Sequence, residues 1–131
     1  MFRVSDATGG YGKTVIIHDV SLNVKEGEIV ALLGRNGVGK STLMKYMTGI
    51  IPAKKGKVEI AGRPAPSTTF GRARAGLGYV PQGRFVFPRM SVSENIAVAA
   101  ATNGKDPSEA VEEALEEFPL LKPKAADLAG G

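Results

Sequence analysis

The residues best suited to chemistry stand together between positions 34 and 42: Gly34-Arg35-Asn36-Gly37-Val38-Gly39-Lys40-Ser41-Thr42. They fit G-x-x-x-x-G-K-[ST], a loop that binds phosphate. The glycines permit backbone angles that turn successive N–H groups inward onto anionic oxygens. Lys40 adds a full positive charge that can reach the β- and γ-phosphates of a nucleotide, and the Ser41 hydroxyl can ligate Mg²⁺. A helix starting near Lys40 would aim its N-terminal dipole at the same oxygens.

Such a loop needs a strand before it and a helix after it. Ile29-Val30-Ala31-Leu32-Leu33 is an unbroken apolar run ending at Gly34, the pattern of a strand buried on both faces of a parallel sheet. Leu43, Met44 and Met47 follow at helical spacing, and Gly49 is a natural helix stop. A chance match in a chain with 17 glycines would not carry strand, loop and helix in that order.

Composition sets bounds. The 131 residues suffice for one domain with a core, and 43% apolar with 23% charged residues is ordinary for a soluble globular protein. Without cysteine there is no disulfide frame or thiolate metal site. The apolar runs are far too short to span a bilayer. The net charge of +4 is spread over scattered basic residues, with no basic stripe interleaved with aromatics, so no nucleic-acid face is expected.

Other elements follow from local pattern. Phe2 to Ala7 reads as an edge strand, and Gly9-Gly10-Tyr11-Gly12 as a turn exposing one aromatic ring. Tyr11 is either an ordinary turn residue or a platform on which a base stacks. Val20, Leu22 and Val24 alternate with polar residues as in a half-buried antiparallel strand. Ile51 to Gly56 reads as a loop, Lys57 to Ala61 as a strand, and Phe70 to Ala75 as a short helix stopped by Gly76. Leu77-Gly78-Tyr79-Val80-Pro81 is a second candidate for a central sheet. Gln82 would then sit past the carboxyl end of a strand, where open α/β sheets place ligand contacts. Ser91 to Glu94 fits a capping box ahead of a helix running to Thr102. Asp106-Pro107 opens another helix, with Ala110, Val111, Ala114, Leu115 and Phe118 on one face and solvated glutamates on the other.

Several of these stretches together resemble one family. Tyr11-Gly12, His18-Asp19-Val20-Ser21-Leu22, Gly34 to Thr42, and Gly78-Tyr79-Val80-Pro81-Gln82-Gly83-Arg84 resemble the ATP-binding subunits of ABC transporters. Ala73 to Arg84, followed by Phe87-Pro88-Arg89-Met90-Ser91-Val92-Ser93-Glu94-Asn95, is similar to the branched-chain amino-acid importer group, with urea and short-amide importers as near relatives.

The resemblance implies an α/β, P-loop NTPase domain of ABC type. It would be incomplete, with an antiparallel β part at the N-terminus and the start of a helical subdomain. Residues 1–82 would form the nucleotide-binding core and 83–131 the start of that subdomain. It implies ATP and Mg²⁺ as ligands, bound by Tyr11 on adenine, by Gly34, Arg35, Asn36, Gly37, Val38, Gly39, Lys40, Ser41 and Thr42 on the phosphates, and by Ser41 and Gln82 at the metal. Gln82 would also meet the attacking water. The implied partners are membrane-spanning permease subunits, docked after Gln82 near Phe85 and Phe87, and a second ATPase subunit. No contact with the transported substrate is implied, and the place is the inner face of the cell membrane, as a peripheral subunit.

The family pattern goes on for roughly another hundred residues. No apolar run here ends in Asp-Glu, Leu128-Ala129-Gly130-Gly131 only imitates the start of the L-S-G-G-Q signature, and the lone histidine, His18, precedes the loop. These 131 residues are therefore expected to bind ATP but not to turn it over alone, and to leave the edges of a central sheet open. Two other classes compete: a non-enzymatic nucleotide-binding module, which would look the same in sequence and differ by binding ATP without turnover, and a GTPase or small-molecule kinase, against which stands the absence of the guanine motif N-K-x-D.

Overall fold

The computed structural model describes residues 1–35, 37, 39–83 and 85–130. The chain divides into two compact units, Met1–Tyr79 and Val80–Gly131.

The first unit is built on a four-stranded antiparallel sheet. Strands β1 (Phe2–Tyr11) and β2 (Thr14–Val24) form a hairpin, β3 (Ala53–Ile60) and the two-residue β4 (Arg63–Pro64) form another, and the sheet order is β2-β1-β3-β4. Val20, Leu22 and Val24 lie half-buried in β2, as their alternation predicts, with Leu22 opposite Val4 and Val24 opposite Phe2. Irregular register between Val4 and Ala7 marks a bulge, where Asp6 takes a φ of 50° and Asp19 on β2 a φ of 47°. Side chains satisfy the amides that the bulge frees: Asp6 N–H donates to Ser21 Oγ at 2.9 Å, and Asp19 N–H to Thr8 Oγ1 at 3.1 Å.

The expected edge strand at Phe2–Ala7 is instead the interior strand β1, and it runs through the expected turn at 9–12 as far as Tyr11. The two glycines serve close packing rather than turning. A Cβ on Gly10 would meet the Thr14 carbonyl oxygen at 2.1 Å, and one on Gly9 would meet the Tyr46 ring at 2.9 Å. The loop expected at Ile51–Gly56 is likewise shorter. β3 begins at Ala53, because the long β1 offers it partners as far as Gly9 opposite Ala53.

Helix α1 (Lys40–Met47) packs on β1 and β2. Leu43, Tyr46 and Met47 join Val4, Ala7, Ile17, Ile51 and Val58 in the core, whereas Met44 of the expected apolar face is exposed. Gly49, at a φ of 79°, stops the helix as predicted. Helix α2 (Thr69–Arg74) is capped by Thr68, whose Oγ1 accepts from Gly71 N–H at 3.1 Å.

Neither expected central strand is present. Ile29–Leu33 and Leu77–Pro81 pair with no described segment, and Ile29, Leu33 and Val80 are 97%, 92% and 94% exposed. A strand exists through its ladder: an apolar run specifies a buried strand only when neighbours supply hydrogen bonds on both sides. The two runs carry the apolar pattern of buried strands, but the described residues provide no ladder for either.

In the second unit, α3 (Val92–Thr102) starts at the predicted capping box: Glu94 N–H donates to Ser91 Oγ, and Ser91 N–H donates to the Glu94 carboxylate at 2.6 Å. Helix α4 (Pro107–Glu117) is capped by Asp106 and packs on α3. Ala110, Val111, Ala114 and Leu115 are half-buried as expected. Phe118 is exposed, because the proline that follows it breaks the helix and opens a 3₁₀ turn at Pro119–Lys124. The last described segment straps the start of α3: Val92 and Ser93 N–H donate to the Asp127 and Ala125 carbonyls, and Ala129 N–H to the Met90 carbonyl.

Candidate functional site

The phosphate loop lies at the N-terminus of α1, and the sheet seats that helix. Gly39 shows why a glycine must stand there. It caps α1 at a φ of 102°, and a Cβ would press on Ile17 at 3.1 Å and on Ile16 at 3.4 Å. The loop thus enters the helix hard against β2, and only a residue without a side chain can make that approach.

Among the described residues no side chain occupies the opening amides of α1 and no carboxylate stands in its first turn, the arrangement that suits an external anion. Lys40 folds back over the loop, its ammonium donating to the Gly34 carbonyl and, at 3.1 Å, to the Arg35 carbonyl. That contact holds a positive charge over the loop. Ser41 is exposed and Thr42 buried, so of the two hydroxyls only that of Ser41 faces solvent. Gly34, Arg35 and Gly37 are exposed; Asn36 and Val38 lie outside the described residues.

Tyr11 ends β1, 44% exposed, with the Lys45 ammonium 5.5 Å from its ring centroid. Phosphate loop and aromatic ring therefore belong to one unit and share one helix, since Lys45 is on α1. Gln82 is not joined to them in the same way. It is an exposed residue on a bend in the second unit, with no strand before it. Its expected place past a carboxyl strand end fails with the strand at Leu77–Pro81. Phe85 and Phe87 are both exposed, and Arg84 is outside the described residues.

Three residues carry roles that local pattern does not reveal. Lys45 is one. Arg72 is another: it is 9% exposed, and its guanidinium donates to the Tyr46 and Met47 carbonyls at 2.7 and 2.6 Å and to the Pro66 carbonyl at 2.8 Å. It holds the C-terminal carbonyls of α1, where the helix dipole favours a cation. Burial pulls its pKa down, and the Tyr46 phenol nearby partly opposes that; burial pushes the phenol's own pKa up. The third is Asn95, which accepts from Phe87 N–H at 2.8 Å and donates to the Phe87 and Ser91 carbonyls, fixing the turn ahead of α3.

Among the described residues, no group of three metal-ligating side chains stands together, and no helix is long and apolar enough to cross a membrane.

The chain is similar in sequence and fold to known proteins. The profile of the ABC transporter family matches residues 17–131. The chain is 41% identical to the high-affinity branched-chain amino acid transport ATP-binding protein BraG of Pseudomonas aeruginosa, over 92% of this chain and 52% of the relative. It is 35% identical to the probable branched-chain amino acid transport ATP-binding protein LivF of Archaeoglobus fulgidus, over 100% of this chain and 58% of the relative. Among solved structures, an ATP-binding subunit of an ABC transporter superposes with a TM-score of 0.84 at 28% identity, over 98% of this chain and 54% of that one. The chain thus spans about half the length of the relatives it matches. With an antiparallel sheet carrying a glycine-capped helix, a lysine folded over the loop before it, and this coverage by the family profile, the chain belongs to the ABC transporter family.

Proposed function

We propose that this chain is the nucleotide-binding half of the ATPase subunit of an importer for branched-chain or other hydrophobic amino acids. The observation that carries the reading is the uncapped N-terminus of α1 with Lys40 held over Gly34 and Arg35. The residues fit a nucleoside triphosphate. Lys40 and the α1 amides would hold its phosphates together with Gly34, Arg35, Asn36, Gly37, Val38, Gly39 and Thr42, and Tyr11 would take the adenine. Mg²⁺ would be held mainly by nucleotide oxygens; the proposed side-chain ligands are the exposed Ser41 hydroxyl in the first unit and, from the family resemblance, Gln82. When bound it would neutralise charge on the phosphates. Gln82 would also orient the attacking water.

The importer assignment is supported by what BraG and LivF are named for. On it, permease subunits dock near Phe85 and Phe87, a second ATPase subunit completes each nucleotide site, and the whole protein works at the inner face of the membrane. Urea or a short amide is the alternative cargo.

Within these 131 residues no apolar strand ends in the acidic pair that would activate water. The 131-residue polypeptide is expected to bind ATP and release no phosphate above background in a steady-state assay. Sustained hydrolysis that Lys40→Ala abolishes would contradict this.

A further inference from the structure

The Lys45 ammonium stands 5.5 Å from the centroid of the Tyr11 ring. Tyr11 is the last residue of its strand and nearly half exposed, so part of its ring faces solvent. The Lys45 backbone is anchored in the helix, so the base of its side chain starts from a fixed place. It sits in the last turn of α1, its carbonyl accepts from Ile50 N–H at 2.9 Å and Ile51 N–H at 3.2 Å, and its neighbours Tyr46 and Met47 are buried. Among the described residues the ion pairs are Arg3–Glu59 and Lys105–Glu113, so no carboxylate draws Lys45 away. A cation over one face of an aromatic ring is held by the ring quadrupole and leaves the other face open.

We propose that Lys45 is a positioning residue that holds the Tyr11 ring as a preformed platform, with one face free for the planar base of the nucleotide. This rests on the reading of Tyr11 as the adenine contact. Fixing the ring before binding removes the ordering cost that a mobile side chain would add. The charge also withdraws electron density from the ring, which favours stacking of an electron-rich base on the opposite face. Lys40 and Lys45 leave the same helix five residues apart, about 7.5 Å along its axis, so one rigid element sets both the phosphate contact and the base contact.

The test is calorimetric titration of the full protein with a non-hydrolysable ATP analogue and, separately, with inorganic tripolyphosphate. Lys45→Met is expected to weaken analogue binding about two- to five-fold, the equivalent of a surface cation–π contact. Tripolyphosphate binding should be unchanged, Lys45→Arg should restore the analogue affinity, and the effect should vanish in a Tyr11→Leu background. Equal weakening of both ligands would reduce Lys45 to a general positive charge and overturn the proposal. So would no effect on either, or an effect that persists without the ring. If the unaltered protein binds neither ligand, it is the nucleotide-site reading itself that fails.

Discussion

A single guanidinium ties the end of α1 to the segment that leads into α2. Among the described residues Arg72 has no carboxylate partner, and its buried charge is balanced by three backbone carbonyls, two of them at the end of α1. Each such charge-assisted hydrogen bond is worth about 1.5–3 kcal/mol, and losing a partner leaves buried acceptors unsatisfied. Arg72→Leu is therefore expected to lower stability by about 3 kcal/mol or more, read as a drop in the denaturant midpoint of the full protein. Arg72→Lys should recover part of the loss, because one ammonium cannot span all three carbonyls. A midpoint unchanged in Arg72→Leu would refute this role. Nothing in the local pattern around Arg72 marks it among the 17 basic residues, since two of its acceptors lie 25 and 26 positions earlier. The contact of Lys45 with Tyr11 escapes local pattern for the same reason, although Tyr11 itself is a named candidate in the sequence. The phosphate loop does not, because its chemistry is contiguous.

Elements divide along the same line. Helices α1, α2, α3 and α4 were legible because their start and stop signals are local: Gly49 after α1, Gly76 after α2, the Ser91–Glu94 box, and Asp106-Pro107. Strands were legible only where a neighbour exists. The alternation in β2 held, whereas Ile29–Leu33 and Leu77–Pro81 carry apolar runs that no described segment pairs with. The capping box also makes a pH prediction. The Ser91 N–H, and after it the Ser91 hydroxyl, hold the Glu94 carboxyl below its ordinary pKa. A depressed folded pKa contributes stability that is complete above the ordinary glutamate range and is lost as pH falls through the lower, folded value. Melts followed by circular dichroism should lose an increment in that acid window, and Glu94→Gln should flatten it. An identical acid slope in the variant would show that the box contributes nothing there.

At the scale of the whole molecule, the antiparallel sheet, α1 and the glycine-capped loop form one unit, while Gln82 and the exposed Phe85 and Phe87 belong to another. A sequence reading can name candidate residues of a nucleotide site from contiguous motifs, but packing decides which of them fall within one unit. The account therefore stands most directly on the first unit, and its central claim is that Lys40 and the start of α1 bind the phosphates of a nucleotide. The measurement is a titration of the full protein with a non-hydrolysable ATP analogue beside the Lys40→Ala variant, with matched melting curves to show that both are folded. Saturable binding that Lys40→Ala weakens at least tenfold, roughly 1.4 kcal/mol for one charge-assisted contact, is the predicted result. Equal affinity in the two folded proteins would contradict it.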